Sequence, residues 1–461
     1  MKRTSILATL ALLSLVLMAL ACNLTGGPPP PTVVPSIRAT ETPLPTIAYA
    51  TLPPEQLPQQ NVQPQNPVIP SGASDVRSQL AQVQPDRLMM HVDSLQRMVT
   101  RHVNSPDTGS TGVAAAYRYI RSQFENIAAQ SSGRFSVLEH SFELEWEGVK
   151  TTQRNVVGYL QGDGIGAGVI VVGAHYDSIT RNPADAIYNA PGADDNASGV
   201  AGLIELARVL SQRPRRATIM FVAFAAEEVG REGSRAFVRF LRERNVTVDA
   251  MYNMDIIGSQ IGPNGEVDAE NLRLFSAGPE TSPSRQLARS IYWINYNHMP
   301  DMKILVQDSE DRQGRYSDHM SFTEAGFPAV RFIEALEAVT RQHTPNDTID
   351  YIQASYLLRS TQSVLASLIV MSTGLPPPTN IIIRNNGTPT RTLVWEPIEG
   401  AVGYLIGLRA PGSLIINQQF PWNNNSVDWD GFNASLFTSV VISAVDSNGL
   451  MGPPSREIPI P

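Results

Sequence analysis

Cysteine is almost absent from this chain of 461 residues: Cys22 is the only one. A disulfide within the chain is therefore excluded, and so is a zinc site built on thiolates. Basic residues are also in the minority. There are 35 Lys and Arg against 43 Asp and Glu, a formal net charge of −8, and no long basic run. A nucleic-acid-binding surface is accordingly not expected. The apolar run at residues 6–20 is too short and too close to the N-terminus for a transmembrane helix. The length, by contrast, exceeds what one ordinary core serves, so more than one domain is expected.

Lys2 and Arg3 precede the apolar run and small residues follow it, the layout of a secretory signal. Cys22 stands directly after it, in MALAC, and residues 1–22 resemble a bacterial lipoprotein signal, in which the cysteine is lipidated. The expectation is an exported cell-surface lipoprotein held at the membrane through Cys22, with plain secretion as the alternative. Residues 23–74 carry 13 prolines and only three charged side chains, Arg38, Glu41 and Glu55. Such a segment cannot bury enough apolar surface to fold, and residues 23–75 read as a semi-extended tether.

Folded patterns begin near Val76. Leu88, His91, Val92, Leu95, Met98 and Val99 share one face of a helix predicted over residues 86–103, and a second helix runs through Tyr117, Ile120 and Phe124. Residues 135–160 read as strands. His91, His102 and His140 fall in this region, where a lone histidine is more often core or surface than ligand. Between Gly168 and Ser234 lie two short apolar runs, 169–172 and 219–224, separated by Val200, Leu203, Ile204, Ala207 and Leu210 at the spacing of a helix with one buried face. Strand, helix, strand implies parallel pairing with a right-handed crossover. A third apolar run at 251–257, a helix around 284–293, a strand at 303–306 and a last helix at 351–371 complete an α/β domain over residues 76–374. It should have a mostly parallel central sheet with helices on both faces. Beyond Gly374-Leu-Pro-Pro-Pro the chain turns to short strands with Gly, Asn and Pro turns, predicting an all-β C-terminal sandwich over 375–461. Trp395, Gly403-Tyr404 and VISAVDSNGL give it a resemblance to fibronectin type III domains. A polymer or surface ligand is a possible partner for such a module.

Ligands of open parallel sheets bind at the carboxyl ends of the strands. His175, Asp177, Glu227 and Glu228 fall there, which points to metal-dependent hydrolysis. Asp177 lies two residues beyond His175, on the same side of an extended chain, where it can orient the imidazole. Asp194 and Asp195 start the helix, and a simple helix cap would explain them equally well. Glu227 and Glu228 would point different ways from an extended backbone, so that one can ligate while the other faces the attacking water. Two glutamates in a row usually form a solvated pair, but these follow a buried-strand pattern. Asp255 is an acid among residues that should be buried, and an acid there needs a partner. His343 sits in a Pro-containing loop.

The set HYDS, APGADDNASGVA, FAAEEVGREGS, NMDIIGS, SDHMSF and HTPNDT resembles the clan MH zinc aminopeptidases, the secreted bacterial leucine-type enzymes, over roughly residues 88–371. The resemblance implies the zinc exopeptidase fold and two Zn2+ per chain. It implies that His175 and Asp255 hold one zinc, Glu228 and His343 the other, and that Asp195 bridges them. Glu227 would be the general base and Asp177 the buttress of His175. It further implies a cis peptide at Asp195–Asn196, and places Asp318 and His319 outside the metal ligands; Tyr316 is a weak candidate for a substrate contact. The implied activity is removal of N-terminal residues from peptide substrates. The alternatives are a carboxypeptidase or a glutaminyl-cyclase-like enzyme on the same fold, or a non-catalytic surface-binding protein. Residues 259–315 are the least family-like part and are expected to line the substrate pocket.

Overall fold

The computed structural model describes residues 74–164, 167–299 and 301–461. The expected signal, Cys22 and the tether lie outside them, except that Ser74 and Asp75 already belong to the first helix. Helices α1 (Ser74–Leu80), α2 (Pro85–Gln96) and α3 (Val113–Gln130) come first. Pro85 opens α2 with its preset φ, where no amide partner is missed. The helix ends at Gln96, not near residue 103 as its apolar phase predicted: Val99 has φ 66° and is 36% exposed. The non-helical segment that follows buries Thr100, Arg101 and His102.

A hairpin of β1 (Phe135–Trp146) and β2 (Val149–Leu160) precedes β3 (Val169–His175). After an irregular turn at Ala193–Ser198 come α4 (Gly199–Leu210), β4 (Thr218–Phe224), α5 (Glu232–Glu243) and β5 (Val248–Met254). Then follow β6 (Asn271–Ser276), α6 (Pro283–His298), β7 (Lys303–Val306), α7 (His319–Glu324), β8 (Ala329–Glu334) and α8 (Ala354–Thr373). The eight strands form one sheet in the order β1-β2-β4-β3-β5-β8-β6-β7. Its centre, β4-β3-β5-β8, is parallel throughout.

Alternation along each strand explains why these strands read as unbroken apolar runs. Ile170, Val172 and Ala174 of β3 pack into the layer of α2, α3, α4 and α8, while Val171 packs with α5 and α7 on the other side. In β4, Ile219, Phe221 and Ala223 take the first side and Met220, Val222 and Phe224 the second. With both faces covered, every position must be apolar. Helix α4 is buried almost all round, not on one face, because α2, α3 and α8 close over it; Arg208 is its one residue that is not buried. Its internal Glu205 is paired with Arg87 and Arg208, each at 2.7 Å. No described helix is long and apolar enough to cross a membrane.

After α8 the chain forms β9 (Ile382–Asn385), β10 (Arg391–Val394), β11 (Gly403–Arg409), β12 (Gln418–Trp422), β13 (Ser426–Trp429), β14 (Ser439–Val445) and β15 (Ile458–Pro459). They build two antiparallel sheets, β13-β10-β9 and β12-β11-β14-β15, around Trp395, Tyr404, Phe420, Trp422, Trp429, Phe432 and Phe437. Trp395 and Tyr404 meet edge to face at 5.0 Å. The sandwich is docked on α6. Trp293 is completely buried there and its indole N–H donates to Gln419 Oε1 at 2.5 Å. The Gln419 and Asn297 amides exchange bonds of 2.9 and 3.1 Å, and Glu457 pairs with both Arg289 and Arg409. A Cβ at Gly407 would stand 2.9 Å from the Trp293 ring, so only glycine lets the indole lie against β11.

Candidate metal centre

Strand register sets the first part of the site. His175 ends β3 opposite Phe224, the last residue of β4. Gly173 pairs with Asn253 across β3 and β5, so two residues further on His175 and Asp255 stand abreast. Loops from the carboxyl ends of four adjacent parallel strands thus converge, as the strand-end rule predicts.

The side chains come together in two overlapping groups. Ligand atoms of His175, Asp195 and Asp255 lie within 4.8 Å of one another, and so do those of Asp195, Glu228 and His343. Asp195 is common to both: Oδ1 is 3.3 Å from His175 Nε2 and Oδ2 is 3.3 Å from His343 Nε2. Asp255 Oδ1 is 3.4 Å from His175 Nε2, and Glu228 Oε2 is 2.9 Å from His343 Nε2. Glu227 is buried with Oε2 4.0 Å from His175 Nε2. Imidazole nitrogens with carboxylate oxygens suit Zn2+. Two of the oxygens, Asp255 Oδ1 and Glu228 Oε1, are buried without a hydrogen-bond partner. Buried acceptors in that condition are costly unless something positive meets them, so the residues present fit a pair of divalent cations.

The charges respond to this crowding. Burial alone would lower the His175 pKa, but Asp255 and Glu227 outweigh it and raise it. Glu228 raises His343 to about 11. Burial would raise the carboxyl of Asp195, and the two imidazoles hold it well below its usual range. Glu227 moves the other way. Burial raises it well above an ordinary glutamate, helped by Asp318, Asp255 and Glu228.

Local backbone differs from the sequence reading at two points. Asp194 and Asp195 make no helix cap; Asp195 has φ −105° and ψ 87°, inside the turn before α4, and the Asp195–Asn196 peptide is cis. Asn196 locks that turn, accepting from the Gly199 and Ile256 amides and donating to the Met254 carbonyl. Glu227 and Glu228 sit in a turn opened by Ala226 at φ 60°, not in extended chain, yet they still diverge, one toward His175 and the other toward His343. Asp177 also works differently. The Asp177 carbonyl is 3.3 Å from His175 Nδ1 and its carboxylate 3.7 Å, while the carboxylate accepts from the Glu227 and Glu228 amides at 3.0 and 3.1 Å. Asp177 thus positions the glutamate turn as much as the imidazole.

Two residues to which the sequence reading gave no role complete the frame. Asp347 does for Asp195 what Asp177 does for the glutamates. Its carboxylate accepts from the Asp194 and Asp195 amides at 2.9 and 3.0 Å, and its carbonyl from Ala193 at 3.0 Å. Arg101 is fully buried and donates to the carbonyls of Tyr176, Leu95, Gly192 and Pro191. Gly192 has φ 53°, and a Cβ there would meet Asp195 O at 2.4 Å and Arg101 at 2.8 Å. The HTPNDT motif contained Asp347; nothing local to Arg101 marked it. Asp318 is buried, its charge felt by Glu227, and His319 Nε2 is 2.9 Å from the Glu310 carbonyl. Tyr316 is 40% exposed with its hydroxyl turned to Glu310. The three histidines before β3 have ordinary partners: His91 with the Tyr119 hydroxyl, His102 with the Pro183 carbonyl and His140 with Asn155.

Residues 155–368 match the model of peptidase family M28. A protein of Pyricularia oryzae described as "Probable zinc metalloprotease" is 32% identical over 371 residues, covering 72% of this chain and 73% of its own length. The LapA aminopeptidase of Legionella pneumophila superposes with a TM-score of 0.53 at 23% identity, covering 68% of this chain and 78% of the other. The glutaminyl cyclase of Porphyromonas gingivalis superposes with a TM-score of 0.50 at 18% identity, covering 62% and 98%. At these identities the two structures share the fold alone.

Proposed function

The chain belongs to peptidase family M28, and we propose that it is a two-zinc exopeptidase removing N-terminal residues from peptides. The observation that carries this reading is the pair of donor groups sharing Asp195, with the buried Glu227 beside them. His175, Asp195 and Asp255 would hold one zinc and Asp195, Glu228 and His343 the other. Zinc in such a site supplies Lewis acidity to a substrate carbonyl and makes water a nucleophile near neutral pH. Glu227, its pKa raised by burial, accepts the water proton and later returns it to the departing amine. Asp177 holds Glu227 and Glu228 through their backbone amides, so the base and a ligand keep a fixed separation. The free amine of a substrate would be drawn to this acidic site. Five intact donors favour hydrolysis over a purely binding role.

We also infer export and anchoring through lipidated Cys22, with the proline-rich segment as tether, and a fibronectin type III-like type for the sandwich. The test of activity compares one short peptide with its N-acetylated form, using the zinc-loaded protein and mass spectrometry. Stepwise N-terminal loss from the free peptide alone, abolished by chelator, supports the aminopeptidase. Trimming of both peptides from the C-terminus replaces it with a carboxypeptidase, and no cleavage of either removes the proposal.

A further inference from the structure

The two donor groups are not supported alike. Asp255 divides its oxygens. Oδ1 faces His175 at 3.4 Å, whereas Oδ2 is 3.0 Å from Arg331 Nη2. Arg331 comes from the middle of β8, is buried, and has its other terminal nitrogen on Asp311 Oδ2 at 2.8 Å and on the Arg315 carbonyl at 2.8 Å. Asp311 is itself buried, and its Oδ1 accepts from the Arg312 amide at 2.8 Å. With Nη1 held by Asp311 and by the Arg315 carbonyl, the planar guanidinium is fixed and presents Nη2 to one oxygen of Asp255. Asp195 and Glu228 are arranged instead by their own histidines and by backbone amides held by Asp347 and Asp177.

We propose that Arg331, itself set by Asp311, is a positioning residue for Asp255, and that it makes the two metal positions unequal: the His175–Asp255 position depends on this buried ion chain and the Glu228–His343 position does not. The inference rests on the two-zinc reading above. It also ties the metal centre to the segment 259–315, since Asp311 lies there. Removing the outer carboxylate leaves Arg331 Nη1 only the Arg315 carbonyl, so the guanidinium is held less firmly and Asp255 with it, while every donor atom remains in place. The partner of a metal-bound carboxylate commonly accounts for about 10- to 100-fold in metal affinity.

The experiment titrates metal-free full-length protein with Zn2+ against a competing chelating dye, and with Co2+ followed by visible absorption. The unmodified protein should take up two equivalents. Asp311→Asn and Arg331→Lys should still take up two, with one equivalent weakened about 10- to 100-fold and the other unchanged, and with the Co2+ spectrum split into two resolved steps. Arg331→Met takes the guanidinium from two buried acids at once; where circular dichroism shows that it does not fold, Asp311→Asn and Arg331→Lys decide. Equal weakening of both equivalents, or none, overturns the assignment. If the unmodified protein fails to bind two equivalents, the two-zinc reading falls and this inference with it.

Discussion

The sheet's carboxyl edge and the C-terminal sandwich bury very different things. At the edge, Asp177, Asp194, Asp195, Glu227, Asp255 and Asp318 are all buried together with His175, and Asp255 and Glu228 each keep an oxygen without a hydrogen-bond partner. The sandwich buries all seven of its aromatic rings, from Trp395 to Phe437, packed largely edge to face. Its buried ion cluster, Arg409 and Glu457, faces α6 of the neighbouring domain. One region buries acids whose cost bound cations would offset, and the other buries mainly rings that pack well, keeping its ion pairs against α6. The sandwich also offers no exposed aromatic ring among the described residues on which a polymer could stack.

This contrast can be broken experimentally. Glu227→Gln should cut kcat by about 10²- to 10⁴-fold while zinc content and melting temperature stay as they are, measured by elemental analysis and calorimetry. Metal loss in that variant would reassign Glu227 as a ligand. Trp293→Ala should do the reverse, costing about 3–5 kcal/mol of stability through the cavity it leaves under β11, with kcat unchanged. A fall in kcat comparable to that of Glu227→Gln would mean that the sandwich and the site are one functional unit. Asp347→Asn sits between the two. An amide can accept from one of the Asp194 and Asp195 N–H groups but would turn its own N–H toward the other, at a cost of about 1–3 kcal/mol, read as a lower denaturant midpoint together with weaker zinc binding. Leu436→Ser, at a residue 53% exposed on the sandwich, should change stability by no more than about 0.5 kcal/mol and leave activity alone. A larger effect there would reveal a partner surface that packing does not show.

Much of this was legible in the sequence. The apolar runs of β3 and β4, the helix between them and the acids and imidazole after them are local patterns, and a period of two or 3.6 residues is enough to read them. The end of α2 was not legible, because Val99 continues the helical phase and only the path of Arg101 into the site turns the chain away. The all-round burial of α4 was equally hidden, since an amphipathic pattern records one face and other helices cover the rest. At the site, strand-end position pointed to His175, Glu227, Glu228 and Asp255, the family resemblance added Asp195 and His343, and the fold brings these together. What the sequence by itself determined was therefore which side chains are present and at which strand ends they fall. The tertiary structure decided how they are held. Asp347 reaches the Asp194 and Asp195 amides across 153 and 152 residues of chain, Arg101 reaches the Gly192 carbonyl across 91, and Arg331 joins Asp255 to Asp311. A hydrogen bond between distant segments leaves no period in the sequence, so its partners appear only when the sheet and loops are assembled.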